Sequence, residues 1–158
     1  LGFGIAFLLR QRQRALAASL AMALATASFI YFAHMAFGKF EPYLSSRPLA
    51  VEIGKRLAPD DIVALNGEFQ GGSSIGFYLA RQVLLLNGRT TVLEFGSHYP
   101  DAPPVFIDNA EIARLWQGSK RVFLTTANDK FDEVKKVLSG EVFLIASAGG
   151  KSVYSNRQ

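Results

Sequence analysis

Apolar positions fall into two regimes along the chain. From Ala15 to Gly38 there are twenty-four consecutive residues without Asp, Glu, Lys or Arg. As a helix rising 1.5 Å per residue they extend about 36 Å, enough to cross a hydrocarbon core of about 30 Å with some tilt. From Ser45 onward the apolar residues instead form short runs separated by turn-forming residues, which predicts alternating strands and helices.

The short runs predict a small α/β domain. Ser45-Ser-Arg-Pro-Leu-Ala opens a helix running to about Leu57, with Ser46 as N-cap, Pro48 in the first turn and Leu49, Ile53 and Leu57 on one face. Ile62 to Leu65 reads as a first strand, followed by a glycine-bearing loop to Gly72 and a helix from Ser73 or Ser74 through Arg81. Val83 to Leu86 and Thr90 to Phe95 flank Asn87-Gly88, a hairpin signature. A proline-rich loop at Tyr99 to Pro104 precedes a helix from about Asn109 to Trp116, capped by Asp108. Arg121 to Thr125 predicts a strand, Lys130 to Leu138 a helix, and Val142 to Ala146 a strand that turns at Gly149-Gly150 into Ser152 to Tyr154. The expected fold class is thus α/β, a transmembrane helix followed by a small extracytoplasmic layered domain with a mixed sheet and two hairpins.

Charge adds an orientation. Of 17 basic residues, only Arg10, Arg12 and Arg14 precede Lys39, and all 13 acidic residues lie at or after Glu41. Residues 39–158 therefore carry 14 basic and 13 acidic groups, so the basic pI reflects one patch beside an apolar segment and not a nucleic-acid surface. The positive-inside rule places loop 10–14 in the cytoplasm and residues 39–158 outside, as an extracytoplasmic (periplasmic) domain of an inner-membrane protein. Leu1 to Leu9 is a charge-free run that begins without Met; it reads as the end of an earlier helix in a multi-pass fragment. The rival is a cleaved signal peptide with Ala25-Thr-Ala27 as its site. The apolar residues before the arginines and the continuing Phe29-Ile-Tyr-Phe32 stand against it. Rows of small residues, Ala17/Ala21/Ala25 and Ser19/Ala23/Ala27, suit close packing against other helices. His34, about one turn from the outer end of the span, can reach the headgroups as a neutral imidazole.

Candidate chemistry is sparse. Gly67-Glu-Phe-Gln-Gly-Gly72-Ser73-Ser74 has the glycine spacing of a phosphate loop but serine where its lysine belongs, which argues against an NTPase and leaves helix capping or contact with one phosphate. The chain has no cysteine and two histidines, His34 and His98, so a structural zinc site is not expected. A Ser/His/Asp hydrolase would need His98, Asp101 and one of many serines, and is disfavoured. Glu68, Glu94, Asp101 and Asp108 flank loops and are the carboxylates available for sugar chemistry. Tyr99, in the proline loop, is placed to stack on a sugar.

Ser45-Ser-Arg-Pro-Leu-Ala, Ser73-Ser-Ile-Gly-Phe-Tyr-Leu-Ala-Arg81, Asn87-Gly-Arg-Thr-Thr-Val-Leu-Glu-Phe-Gly-Ser97, Tyr99-Pro-Asp-Ala-Pro103, Leu115-Trp116 and Arg121-Val-Phe-Leu124 together carry a resemblance. The string is similar to the C-terminal extracytoplasmic region of bacterial polyprenyl-phosphate-dependent glycosyltransferases of the GT-C superfamily, relatives of the aminoarabinose transferase of lipid A and of dolichyl-phosphate-mannose protein mannosyltransferases. The resemblance covers nearly all of residues 40–158. It implies an integral membrane enzyme that passes a sugar from an undecaprenyl-phosphate-type carrier to a lipid, glycan or protein acceptor. The implied partners are membrane lipid, the polyprenyl-phosphate sugar and further transmembrane helices of the same polypeptide.

In that family the essential acidic residue lies in early extracytoplasmic loops, so no catalytic residue is carried over and no cofactor or metal is assigned to this chain. The domain would act as an accessory cover, with Glu68, Ser73, Ser74 and His98 nearest substrate because they belong to loops at strand or helix ends. Two other readings remain, a membrane-anchored non-catalytic binding module for glycan or lipid headgroups and a structural subunit docked through its Ala-rich helix.

Overall fold

The computed structural model describes residues 1–158, apart from the side chain of Pro42. The chain divides into two compact units, Leu1–Glu41 and Pro42–Gln158.

In the first unit, α1 (Gly2–Gln11) and α2 (Ala15–Leu44) are joined by a tight turn in which Gln13 takes a left-handed φ of 55°. Small residues set how closely the helices approach. A Cβ on Gly2 would lie 2.5 Å from the Cβ of Ala25, while Ala6 and Ala18 are buried. The Ala17/Ala21/Ala25 row is half-buried and is thus the side α2 turns toward α1. Ala15–Glu41 is long and apolar enough to cross a membrane, with a mean hydropathy of 1.8 over its best window. Its aromatic residues Phe29, Tyr31, Phe32 and Phe37 are exposed. The helix, expected to end at Gly38, continues to Leu44, because Lys39 and Glu41 end the apolar stretch without breaking the backbone hydrogen-bond ladder.

The second unit is built on a six-stranded mixed sheet: β1 (Ile62–Asn66), β2 (Leu84–Leu86), β3 (Phe106–Ile107), β4 (Val122–Ala127), β5 (Phe143–Ala148) and β6 (Lys151–Ser155). The spatial order is β3-β2-β1-β4-β6-β5. The first four strands run parallel, and β6 pairs antiparallel with both β4 and β5. Alternation along the parallel strands feeds two cores. Val63, Leu65, Leu85 and Phe123 pack beneath α3 (Arg47–Gly54) and α4 (Ser73–Leu79). Ala64, Leu86, Val122 and Leu124 meet α6 (Asn109–Gln117) and α7 (Phe131–Lys135) on the other face.

The hairpin expected about Asn87-Gly88 does not form. β2 already pairs with β1 on one edge and β3 on the other, so no edge is left for a returning strand. Residues Thr91–Glu94 form α5 instead, followed by a 3₁₀ turn at Gly96–His98. The second expected hairpin is present, with β5 turning through Gly149-Gly150, both at positive φ, into β6. The loop expected before α6 contains β3, two residues long. The helices expected to reach Leu57, Arg81 and Leu138 end at Gly54, Leu79 and Lys135. Beyond them Leu57 and Leu138 still pack on the cores, since apolar periodicity records burial and not where the ladder stops.

Candidate functional site

The carboxyl ends of β1 and β4 are where the sheet changes hands. The chain leaving β1 crosses to the α4 face and the chain leaving β4 to the α7 face, which opens the position where α/β sheets commonly receive ligands. Across it Asn66 donates Nδ2–H to Thr126 Oγ1 at 3.0 Å. Gly67 turns the chain at a φ of +90°, and a Cβ there would lie 3.6 Å from Lys130 Nζ. Glu68 follows, exposed, ahead of a 3₁₀ turn at Phe69–Gly71.

This loop is tied to two distant segments. Ser46, expected to cap α3 with its side chain, makes no such cap. Its buried hydroxyl donates to the carbonyl of Gly71 at 3.2 Å and accepts from Lys151 Nζ at 3.0 Å. Lys151 also donates to the Gly71 carbonyl at 2.6 Å. Burial holds the Lys151 ammonium below its usual pKa, consistent with partners that are neutral oxygens. Gly72, not Ser73 or Ser74, is the N-cap residue of α4. The Ser74 hydroxyl accepts from the backbone N–H of Ser46 at 3.2 Å, and Ser73 is exposed. Of the serines read as phosphate contacts, Ser74 is therefore committed to internal structure. Gly72 permits that packing, because a Cβ on it would fall 2.5 Å from Leu65 Cδ1.

His98 lies elsewhere, on segment 91–99. Thr91, Glu94, Phe95, His98 and Tyr99 line an open hollow of about 480 Å³. These residues recur at helical spacing, which an extended reading of 90–95 could not bring together. The Phe95 and Tyr99 rings meet edge to face at 5.3 Å. Ser97 is buried and donates to the Glu94 carbonyl at 2.8 Å, closing the turn. Thr91 takes a φ of +48°, strained for a β-branched residue. Phe95 and Thr91 went unnoticed in the sequence because only helical spacing joins them to His98.

A second, nearly apolar groove of about 390 Å³ lies between α4 and α5, lined by Phe69, Gly76, Phe77, Leu93 and Phe106, with Ser73 at its wall. The structure thus places Glu68 on the loop after β1, Ser73 and Ser74 at the start of α4 that follows it, and His98 on a separate element. Asp108, one of the candidate carboxylates, caps α6 by accepting from Glu111 N at 2.8 Å. Glu111 itself is held below its usual pKa, chiefly by hydrogen bonds from Arg114.

No protein-family model matches this sequence, and no curated protein matches it significantly. Solved structures do match. The crystal structure of ArnT from Cupriavidus metallidurans bound to undecaprenyl phosphate aligns with a TM-score of 0.70 at 21% sequence identity, over 99% of this chain and 28% of that chain. ArnT from the same organism in the apo state gives 0.70 at 20% identity, again over 99% and 28%. The helix and mixed-sheet fold is therefore shared with a part of ArnT, of whose length this chain spans about 28%.

Proposed function

We propose that this chain is the C-terminal part of an integral membrane glycosyltransferase that takes a sugar from a polyprenyl-phosphate carrier, with residues 42–158 as its accessory extracytoplasmic domain. The observation that carries this reading is the fold match along 99% of the chain to ArnT, which holds undecaprenyl phosphate in one of the matched structures. The family that the sequence motifs resemble uses the same class of lipid carrier, so motif and fold lead independently to one substrate type.

The transfer breaks the bond between the sugar's anomeric carbon and the carrier phosphate and forms a new one to an acceptor oxygen. No residue of this chain is assigned to that step. Its contribution is positional. Helix α2 is long enough to span the bilayer, and together with α1 it leaves a groove of about 700 Å³ lined mainly by small and apolar residues such as Ala15, Ala18, Ser19, Met22 and Ala23. That lining suits further transmembrane helices packed closely against this pair. In this proposal the membrane is the inner membrane, with the basic loop at Arg10, Arg12 and Arg14 on its cytoplasmic face and the domain periplasmic.

Reading the genomic frame upstream of Leu1 tests the proposal. Many additional hydrophobic spans, with an acidic residue in the first outer loop, are expected. A start codon immediately before Leu1 would leave a two-helix protein and favour a membrane-anchored binding module.

A further inference from the structure

We propose that Thr91, Glu94, Phe95, His98 and Tyr99 form a non-catalytic binding subsite for a neutral pyranose saccharide. At about 480 Å³ the hollow falls within the range of about 300–1,000 Å³ of small-molecule sites. Its lining combines two aromatic rings with a carboxylate, an imidazole and a hydroxyl. That is the chemistry a sugar ring presents in reverse: a C–H face that stacks on an aromatic ring, edged by hydroxyls that need hydrogen-bonding partners.

The rings are exposed and held. Phe95 is 78% and Tyr99 51% exposed, yet their edge-to-face contact at 5.3 Å favours one mutual arrangement, and the buried Ser97 anchors the turn. An aromatic pair fixed before binding loses little side-chain entropy when a ligand arrives. Thr91 holds its strained φ of +48° at the rim. The hydroxyl of neighbouring Thr90 is buried without a hydrogen-bond partner. Two local costs at one turn are the pattern of a segment shaped for something other than stability.

Charge selects among occupants. The lining includes one carboxylate and no lysine or arginine, so a phosphate headgroup would meet repulsion without a cationic partner. A neutral saccharide uses the Glu94 carboxylate as a hydrogen-bond acceptor and the His98 imidazole as donor or acceptor. The subsite does not depend on transfer chemistry and would exist equally in a binding module.

The test is saturation-transfer NMR on the whole chain in deuterated detergent micelles, with methyl β-D-glucopyranoside as probe. Transfer is expected to be strongest at H1, H3 and H5, which share the apolar face of that ring. It should fall about fivefold or more in Phe95→Ala and in Tyr99→Ala, and persist in Phe77→Ala, an exposed aromatic outside the hollow. Glu94→Gln, which keeps the acceptor oxygen, should retain the signal. Circular dichroism of each variant establishes that it is folded. No transfer from the wild-type chain, transfer unchanged in both aromatic variants, or loss in Glu94→Gln would overturn the proposal, the last by showing that an acceptor oxygen at this position does not suffice to hold the neutral sugar.

Discussion

The ammonium of Lys151 lies 3.0 Å from the hydroxyl of Ser46, across 105 residues of chain, and both reach the carbonyl of Gly71. Three segments therefore meet at one oxygen: the start of β6, the residue ahead of α3 and the loop after β1. Lys151→Met keeps the aliphatic stem and leaves both oxygens without the ammonium. It is expected to cost about 1–3 kcal/mol, measured by chemical denaturation of the second unit's signal. Ser46→Ala should cost about 1 kcal/mol. The double variant should lose less than the sum, because the two side chains share one network.

The same lysine gives a pH dependence. Burial lowers its folded pKa below the ordinary 10.5, so between the two values the unfolded chain binds more protons than the folded one. Stability from this group must then rise as pH climbs through that window. Comparison of wild type with Lys151→Met from neutral pH to about pH 10.5 should show the upward slope in wild type only. An equal slope in both would assign it to other groups.

At the acid end the slope has the same sign, because there too the unfolded chain binds more protons than the folded one. Glu52 is held below 4.5 by hydrogen bonds from Lys55 and Arg56, and Glu111 by those from Arg114. Their contribution is present above 4.5 and is lost as pH falls through the lowered values. Both carboxylates are exposed to solvent, so salt should diminish the effect. Thermal melts of Glu52→Gln and Glu111→Gln between about pH 2 and pH 6 should converge with wild type at the acid limit.

Asp108 caps α6 with its side chain, accepting from Glu111 N at 2.8 Å. Asp108→Ala is expected to cost about 1 kcal/mol and Asp108→Asn much less, by denaturant midpoint at constant m-value.

Gly72→Ala sets a new methyl 2.5 Å and 2.9 Å from the two Cδ atoms of Leu65. Leu65 belongs to the core under α3 and α4, so relief requires an off-rotamer leucine or movement of the loop. Destabilisation of about 1–3 kcal/mol is expected. Gly71→Ala, where a Cβ meets nothing within 4 Å, serves as the control with little effect.

Where side-chain pattern alone decides structure, the sequence was a sufficient guide: the apolar run of α2, the Asp108 cap of α6 and the turn at Gly149-Gly150 all lie where expected. It misled where pairing partners decide. Asn87-Gly88 has the composition of a hairpin, but β2 sits between two parallel neighbours that the local sequence does not reveal. That change turned 91–94 from strand to helix and, with it, gathered Glu94, Phe95 and Tyr99 around His98. Ser46 and Ser74 carry cap-type side chains, yet tertiary hydrogen bonds to Gly71, Lys151 and each other's segments claim them. Contacts separated by 25 to 105 residues leave no local periodicity to read.

The most direct measurement is sugar transfer by the complete reading frame in membrane vesicles, with a labelled polyprenyl-phosphate sugar as donor and envelope lipid, glycan or protein as acceptor. The account requires label to move to an acceptor, and to stop moving when the segment corresponding to residues 42–158 is deleted while the remaining protein still inserts. Intact vesicles that bind donor or saccharide but never transfer label would contradict it, and the chain would then be a binding module and not part of a transferase.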